Sequence, residues 1–349
     1  MQKLTSQPIF FERNRVFRVY LGGMPYAGLF NSNEPGDNNF PEEWVASSVK
    51  AINPQYFGER DGVSKVEGTD YWLDDLLRDC PDTMLGHRRY DCLVKFLDSA
   101  IRLPVQAHPT KEFSRQHFNS NYGKTEAWLV VATRPNAKIF FGFKDKMTKE
   151  RLMELESLSE TDRNAMESTL SYVDAKVGDI YIIHAGLVHA IGAGCTIIEV
   201  QEPTDFTIQP ERWCGDYHLS ENEEYIGLSK ELAMDVFNFD LYGEAAVNSA
   251  KVTPRVVSDK DGLKVEELIS YDVTESFAQN RYTLTGGSVV PSFGPAVWIV
   301  LDGEVTITGE DYSKTVKGAT YFFLPYAAEG KFTITGNATL IECLPSKQD

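Results

Sequence analysis

The sequence contains few cysteines, and their positions predict neither disulfide bonds nor a structural zinc site. The 349 residues include five cysteines, and no two of them have CxxC spacing: Cys80, Cys92, Cys195, Cys214 and Cys343. An odd and scattered set is not typical of a disulfide framework or of a zinc knuckle. We therefore expect a protein of the reducing cytoplasm.

Long apolar runs and an excess of positive charge are also absent. No stretch reaches the roughly 18 apolar residues of a membrane-spanning helix, and the opening MQKLTSQPIFFERNRVF has no apolar centre like that of a signal peptide. The 34 Lys and Arg residues are outnumbered by 51 Asp and Glu residues, which gives a net charge of -17. Such a charge argues against binding to nucleic acid or to anionic membranes. The expected partner is a small molecule, and the pattern assigns no oligomeric state.

The spacing of apolar residues predicts a mainly β chain with two jelly-roll barrels and helical insertions. Helical spacing occurs at about 70–100, 146–170 and 229–241. From about Lys251 onward, β-branched segments alternate with Gly, Pro and Asn turns. We expect a catalytic domain at 1–250 and a second barrel at 251–349, with the first two helical regions shaping the mouth of the catalytic barrel.

Two histidines lie five positions apart in GDIYIIHAGLVHAIG, residues 178–192. The segment resembles the second metal motif of the cupin superfamily, G-x5-P-x-G-x2-H, with His184 at the usual proline position. A buried strand followed by a reversal at Ala185-Gly186 would point His189 into the barrel. A lone buried histidine is more often an ordinary hydrogen-bonded residue, and nothing supports metal binding by four others: His87, His117, His184 and His218.

Candidate partners for His189 precede it in the chain. Gln106 and His108, in PVQAHPTKE, are two residues apart and so share one face of a strand. Glu126 opens the apolar strand of NYGKTEAWLVV, where a carboxylate needs a partner. Two imidazoles, a carboxylate and an amide oxygen suit Zn²⁺ with an open position for water or substrate. The sequence therefore predicts one zinc ion per chain, bound by Gln106, His108, Glu126 and His189.

The C-terminal part contains a similar segment without the histidine. GATYFFLPYAAEGKFTI begins at Gly318 and reaches Leu-Pro after five residues, but no histidine follows in phase. This barrel is predicted to be structural and free of metal.

Four segments resemble, in order, motifs of the type I mannose-6-phosphate isomerases. They are PEEWVASS (41–48), CLVKFLDSAIRLPVQAHPTKEF (92–113), YGKTEAWLVV (122–131) and AGLVHAIGAGCTIIEVQEPTD (185–205). The resemblance implies a cupin fold with a degenerate second barrel, the same four zinc ligands, and interconversion of mannose 6-phosphate and fructose 6-phosphate. It also implies that Lys124 matches an active-site lysine and that Glu199 matches a glutamate suited to moving a proton between two sugar carbons.

Two positions differ from the family pattern in segments associated with substrate binding. Pro104 stands where the family commonly has a serine thought to contact phosphate, and Gln209 stands where it has an arginine. A phosphate would then need other cations. Lys124 is the first candidate, and Lys95 and Arg212 are further candidates that are equally well explained as ordinary packing charges.

Three functions are consistent with this sequence. The first is a zinc-dependent isomerase of mannose 6-phosphate. The second is an isomerase or epimerase of a different or unphosphorylated sugar, which the residues at 104 and 209 favour. The third is a sugar-binding cupin that keeps its metal without turnover, which the complete ligand set disfavours.

Overall fold

The computed structural model describes residues 3–30 and 36–348. The structure has more residues in strands than in helices, which confirms the predicted mainly β fold class. The helices are α1 (Tyr26–Leu29), α2 (Leu73–Asp79), α3 (Pro81–Met84), α4 (Lys111–His117), α5 (Lys149–Ser159), α6 (Glu221–Tyr225), α7 (Lys230–Ala233) and α8 (Gly243–Ala250). Short 3₁₀ turns occupy Leu4–Ser6, Glu167–Thr169, Met234–Val236 and Tyr326–Ala328.

The strands of the first 252 residues include several short pieces. They are β1 (Ile9–Phe10), β2 (Arg15–Val16), β3 (Glu42–Val45), β4 (Leu93–Ser99), β5 (Glu126–Thr133), β6 (Lys138–Phe143), β7 (Leu170–Asp174), β8 (Ile180–Ile183), β9 (His189–Ile191), β10 (Cys195–Gln201), β11 (Trp213–Cys214), β12 (Tyr217–His218) and β13 (Lys251–Val252). The later strands are longer: β14 (Arg255–Lys260), β15 (Leu263–Ile269), β16 (Ala278–Val289), β17 (Ala296–Gly309), β18 (Tyr312–Lys317), β19 (Thr320–Leu324) and β20 (Thr333–Leu344).

Two large antiparallel sheets dominate the molecule. One has the order β13-β8-β5-β10-β4-β3-β2, and the other has the order β1-β19-β17-β20-β16-β15-β14 with β18 paired to β17. A smaller sheet, β7-β6-β9, faces the first one, and β11 pairs with β12. Isolated bridges from Gln106 to His189 and from Ala107 to Ile208 add the segment around residue 106 to the edge of the smaller sheet.

The first barrel closes around an aromatic and aliphatic core. Trp128 of β5, Ile197 of β10 and Phe141 of β6 are fully buried in one cluster. On β5 and β10 such residues alternate with residues that face the other large sheet, because successive side chains of a strand point to opposite faces. The core therefore fixes which face of β5 and β10 is directed into the barrel.

A second core joins the two large sheets. Phe96 of β4 and Ile198 of β10 belong to the same buried cluster as Ile299, Phe323 and Ile341 of the C-terminal sheet. The N-terminal strand β1 also pairs with β19 of that sheet. The boundary at residue 250 stays a prediction, and the N-terminal and C-terminal parts share both a core and a sheet.

The helix predicted from 90 to 100 is wrong, because β4 occupies residues 93–99. All seven residues of β4 are buried, since the strand lies inside its sheet between β10 and β3, with a core on each face. Lys95 is buried and pairs with Glu42 and Glu199. Asp98 is buried and pairs with Arg134, so neither residue belongs to a solvated helix face. A strand buried on both faces has no alternation of apolar and polar residues, so its pattern resembled a helix.

The other predicted helical regions are confirmed in part. The region 70–79 contains α2, and 146–170 contains α5 and one 3₁₀ turn, with Leu152 and Leu155 buried on its inner side. The region 229–241 contains only α7 and the following 3₁₀ turn. The sequence did not predict α4, α6 or α8, each of which is at most eight residues long. Among the described residues, no helix is long and apolar enough to cross a membrane.

Candidate metal and sugar site

Three of the four predicted metal ligands meet inside the first barrel. Glu126 is the first residue of β5, His189 is the first residue of β9, and His108 follows the segment that pairs with β9. His108 Nε2 lies 3.2 Å from Glu126 Oε2, and His189 Nε2 lies 3.4 Å from Glu126 Oε1. The ligand atoms of all three residues lie within 4.8 Å of one another. Each side chain is at least 98% buried.

The reversal before His189 has the predicted form. Gly186 has a φ of +87°, in the left-handed region that glycine adopts without strain. Its N–H donates to the backbone oxygen of His108 over 2.8 Å. The turn thus fixes one ligand segment against the other.

Both imidazoles are oriented by backbone carbonyls. Nδ1 of His108 lies 3.0 Å from the oxygen of Phe206, and Nδ1 of His189 lies 2.9 Å from the oxygen of Leu187. Nδ1 carries the proton in such a bond, so each Nε2 presents a lone pair to the centre of the cluster. Among the described residues, His189 Nε2 is buried without a hydrogen-bond partner, and Glu126 Oε2 makes ion-pair contacts but no hydrogen bond. Buried polar atoms of this kind fit a divalent metal ion.

The protonation states also suit a metal ion. Burial, together with the charge of Lys124, lowers the pKa of His108 to about 3, and burial lowers the pKa of His189. Burial alone would raise the pKa of Glu126, but Lys124 and His108 hold it well below the usual value. The cluster at neutral pH is therefore two neutral imidazoles and a carboxylate, which is the form that binds metal.

Gln106, the fourth predicted ligand, lies beside this cluster. Its backbone N–H and carbonyl exchange hydrogen bonds with those of His189 over 3.0 and 2.9 Å. Its side chain is largely buried and lines the same cavity as Glu126. Its assignment as a ligand stays a prediction.

A cavity of about 340 Å³ extends from the cluster to the surface. It is lined by six of the predicted site residues, Lys95, Gln106, Lys124, Glu126, Glu199 and Gln209, and by Pro104. Ile52, Asn53 and Pro54 border it on one side, and Ser220, Asn222 and Glu223 border it on another. The helical regions 70–100 and 146–170 were expected to shape its mouth, and that expectation is wrong. They contribute only Lys95 and Leu97 of strand β4 to the lining.

Lys124 occupies the interior of the cavity, next to the cluster. Its Nζ lies 3.2 Å from Glu126 Oε2 and 3.2 Å from His108 Nε2. The turn before it is close-packed, since a Cβ on Gly123 would lie 2.5 Å from the oxygen of Pro109. That glycine allows the backbone to bring the lysine to the carboxylate.

Glu199 and Lys95 lie opposite each other on the paired strands β10 and β4. Lys95 Nζ is 3.2 Å from Glu199 Oε1, and both side chains are almost fully buried. Burial and the charge of Glu126 raise the pKa of Glu199 to about 7. A carboxylate with such a pKa both accepts and releases a proton near neutral pH.

The structure adds three charged residues that the sequence reasoning missed: Arg18, Glu42 and Asp205. Arg18 Nε lies 3.1 Å from Glu42 Oε1, and its Nη2 lies 3.1 Å from Asp205 Oδ1. All three line the cavity. Two of them were inside the motif segments, in PEEWVASS and EVQEPTD, which was the available signal.

Arg212, proposed from sequence as a substrate contact, is elsewhere, and this prediction is wrong. Its guanidinium pairs with Glu156 of α5 over 2.5 Å and with Glu224 of α6 over 3.1 Å, and it is not among the cavity residues. Gln209 does line the cavity, where its side-chain amide donates to the backbone oxygen of Glu223 over 2.9 Å.

Relatives of this chain carry one family name. The mannose-6-phosphate isomerase of Streptococcus mutans is 33% identical over 318 residues, which cover 88% of this chain and 90% of the relative. The mannose-6-phosphate isomerase ManA of Bacillus subtilis is 28% identical over 261 residues, 74% of this chain and 75% of the relative. A scan of protein-family models finds no match.

Solved structures agree on the fold. The crystal structure of the mannose 6-phosphate isomerase from Bacillus subtilis has a TM-score of 0.75 at 22% identity, and the match covers 96% of this chain and 99% of that chain. A zinc-bound mannose 6-phosphate isomerase has a TM-score of 0.73 at 14% identity, covering 98% and 100%. The predicted cupin-like architecture is confirmed, and the chain belongs to the type I mannose-6-phosphate isomerase family.

Proposed function

We propose that this protein is a zinc-dependent isomerase that interconverts mannose 6-phosphate and fructose 6-phosphate. The observation that carries the proposal is the buried cluster of His108, Glu126 and His189 at the inner end of an open cavity. Membership of the family supports the reaction and the substrate.

The proposed ligands are His108, Glu126 and His189, with the amide oxygen of Gln106 as the fourth. When bound, Zn²⁺ acts as a Lewis acid toward the sugar oxygens at C1 and C2. Nitrogen and carboxylate ligands without thiolates are typical of catalytic rather than structural zinc sites.

Glu199 is proposed as the group that moves the proton between C2 and C1. Its pKa of about 7 matches the operating pH, which is the condition for efficient general acid–base catalysis. Lys124 supplies a second proton donor beside the ligand groups, and Lys95 keeps Glu199 in place across the strand pair.

We also place the protein in the cytoplasm, in carbohydrate metabolism. The five cysteines are free in the structure, and four of them are buried, as expected in a reducing compartment.

A coupled assay of purified protein with mannose 6-phosphate tests the function. We expect turnover that is lost after treatment with a chelator and restored by added zinc. A protein with zinc bound but no turnover of mannose 6-phosphate would refute the proposal.

A further inference from the structure

A second cavity lies where the first barrel meets the C-terminal residues of the chain. Its volume is about 640 Å³, which is within the range of small-molecule sites in proteins. We name it the seam cleft, because its lining comes from residues 89–91, 111–122 and 202 on one side and from residues 275–276 and 346–348 on the other. None of the described residues that line it also lines the cavity at the metal cluster. The seam cleft is therefore a separate space.

Positive side chains converge on the seam cleft from three segments. Lys111 and Arg115 are four residues apart on α4 and so lie on one face of that helix. Arg89 precedes β4, and its Nη2 donates to the backbone oxygen of Lys347 over 3.2 Å. Three carboxylates also line the cleft: Asp91, Glu202 and Glu275. Among its described residues the cleft thus has four cations against three anions, in a chain whose net charge is -17.

The two buried carboxylates of the seam cleft already have partners inside the protein. The oxygens of Asp91 accept hydrogen bonds from Ser346, from its N–H over 2.9 Å and from its hydroxyl over 2.8 Å. Glu202 accepts from the N–H of Thr125 over 3.0 Å and pairs with Lys111 over 3.3 Å. Fixed donors and one cation therefore offset the negative charge at these two positions, so less of that charge opposes an anion in the cleft.

Two of the cations are available to a ligand. The guanidinium of Arg115 is exposed and has no ion-pair or hydrogen-bond partner among residues 3–30 and 36–348. Lys347 Nζ lies 3.8 Å from Glu275 Oε1, and these side chains are 56% and 78% exposed. Such an exposed pair contributes little to stability, so Lys347 can turn to a bound anion at small cost. A guanidinium presents N–H groups in a planar fork that matches phosphate oxygens.

We propose that the seam cleft is a second ligand site, which binds the phosphate group of a small compound through Arg115 and Lys347. The two cations come from the two parts of the chain that meet at the seam, so one phosphate group would contact both. Free phosphate and a phosphate monoester offer this same chemistry. The site is separate from the metal cluster, and the inference does not depend on the proposed isomerase function.

Equilibrium dialysis of the zinc-loaded protein with radiolabelled inorganic phosphate tests the site. We expect the wild type to bind one phosphate per chain more than the double variant Arg115→Ala/Lys347→Ala, with a Kd below about 1 mM for that phosphate. Phosphate bound in the cavity at the metal cluster is common to both proteins and cancels in the comparison. Equal binding by the two folded proteins, or an additional phosphate that binds only more weakly than this, would overturn the inference.

A second double variant controls for the loss of charge. Arg151→Ala/Lys317→Ala removes two exposed positive charges from positions that line neither cavity, and it should bind phosphate as the wild type does. Loss of the additional phosphate in this control as well would mean that net charge, and not the cleft, holds the ion. The single variants Arg115→Ala and Lys347→Ala should each weaken its binding about fivefold or more, and an unchanged affinity in both would contradict the assignment.

Competition by glycerol 3-phosphate distinguishes the two sources of the phosphate group. It is measured as the displacement of the labelled phosphate that the wild type binds in excess of Arg115→Ala/Lys347→Ala. Displacement at a lower concentration than that of unlabelled phosphate assigns the seam cleft to a phosphate monoester, and the reverse order assigns it to the free ion. Either result supports a phosphate site, whereas a label that neither compound displaces would overturn it.

Discussion

Each imidazole of the cluster is held by a backbone carbonyl that comes from a turn or loop next to the site. The backbone oxygen of Phe206 accepts from Nδ1 of His108, and that of Leu187 accepts from Nδ1 of His189. The tautomer of each ring is therefore set by the position of a backbone carbonyl and not by another titrating group. The motifs predicted the three clustered ligands, although these lie on three separate segments of the chain. Strand geometry alone accounted only for the shared face of Gln106 and His108. It could not predict the carbonyl partners, since any residue type supplies a carbonyl.

Replacing His189 by alanine should release the metal. We expect the zinc content to fall from one ion per chain to well below that, because the removed imidazole is fully buried at the centre of the cluster. Elemental analysis of the dialysed protein measures this. His184→Ala is the matched control, since His184 lies in the same segment but outside the cluster. Unchanged zinc in the His189→Ala protein would contradict the ligand assignment.

Replacing Glu199 by glutamine should lower kcat by about 10² to 10⁴-fold. The pKa of Glu199 is about 7, and the carboxylate form is the base, so kcat/KM of the wild type should fall as the pH drops below about 7. The glutamine does not titrate. A variant that keeps this acid limb in its pH profile would show that another group moves the proton.

The ion pairs at the cavity border could not be predicted from the sequence. Glu42 and Asp205 were inside recognised segments, yet their shared partner Arg18 is distant in the chain and belongs to an unremarkable stretch, VFRVYLG. A pairing of this type depends on sheet order, which one sequence does not reveal.

At the scale of elements, β4 is the strand that was mistaken for a helix. All seven of its residues are buried, so its apolar run has no period of two. The short helices were missed for a related reason. Helices such as α6, with five residues, span too few turns to show a periodic apolar face.

Helices α5 and α6 are joined by Arg212, and Arg212→Ala should destabilise the protein. The change removes the ion-pair partner of Glu224 and one of the two partners of Glu156, which keeps Lys230. Both carboxylates are fully buried, and we expect a loss of about 3 kcal/mol in the free energy of unfolding. Chemical denaturation measures it. Arg151→Ala, which breaks the exposed pair with Glu154 on α5, should cost less than about 1 kcal/mol. A specific loss of sugar binding with unchanged stability would contradict the structural role.

The whole molecule behaves as one unit because its two large sheets share a core. A chain ending at residue 250 would expose Phe96 and Ile198, which pack in one cluster with Ile299, Phe323 and Ile341. We expect such a fragment to show no cooperative thermal unfolding and rapid proteolysis. A fragment that folds and turns over substrate at the normal rate would show that the C-terminal sheet is dispensable.

A hydrogen bond to the buried carboxyl group of Glu43, on β3, also connects the two large sheets. Tyr321 donates a hydrogen bond to Glu43, and burial raises the pKa of Glu43 above its usual value. The folded protein therefore binds the carboxyl proton of Glu43 more tightly than the unfolded chain does. The protonated group stabilises the fold at low pH, and this contribution is lost as the pH rises through the pKa of the folded state.

Glu43→Gln removes this dependence. The free energy of unfolding of the variant, relative to the wild type, should be higher at about pH 7.5 than at about pH 4.5. Denaturation of both proteins at the two pH values gives the comparison. A difference that stays constant or falls with pH would mean that Glu43 is ionised in the folded state without cost.

The pairing of β1 with β19 ties nearly the first residues of the chain to nearly the last. Ile9 lies opposite Phe323, and Phe10 lies opposite Phe322. While the protein is being synthesised, this two-residue strand has no partner until the ribosome has released almost the entire chain. Ile9 is completely buried in the folded structure, and a nascent chain cannot complete that burial before β19 has been made. Because the two large sheets share a core, the fold is completed only when its final strands have been made.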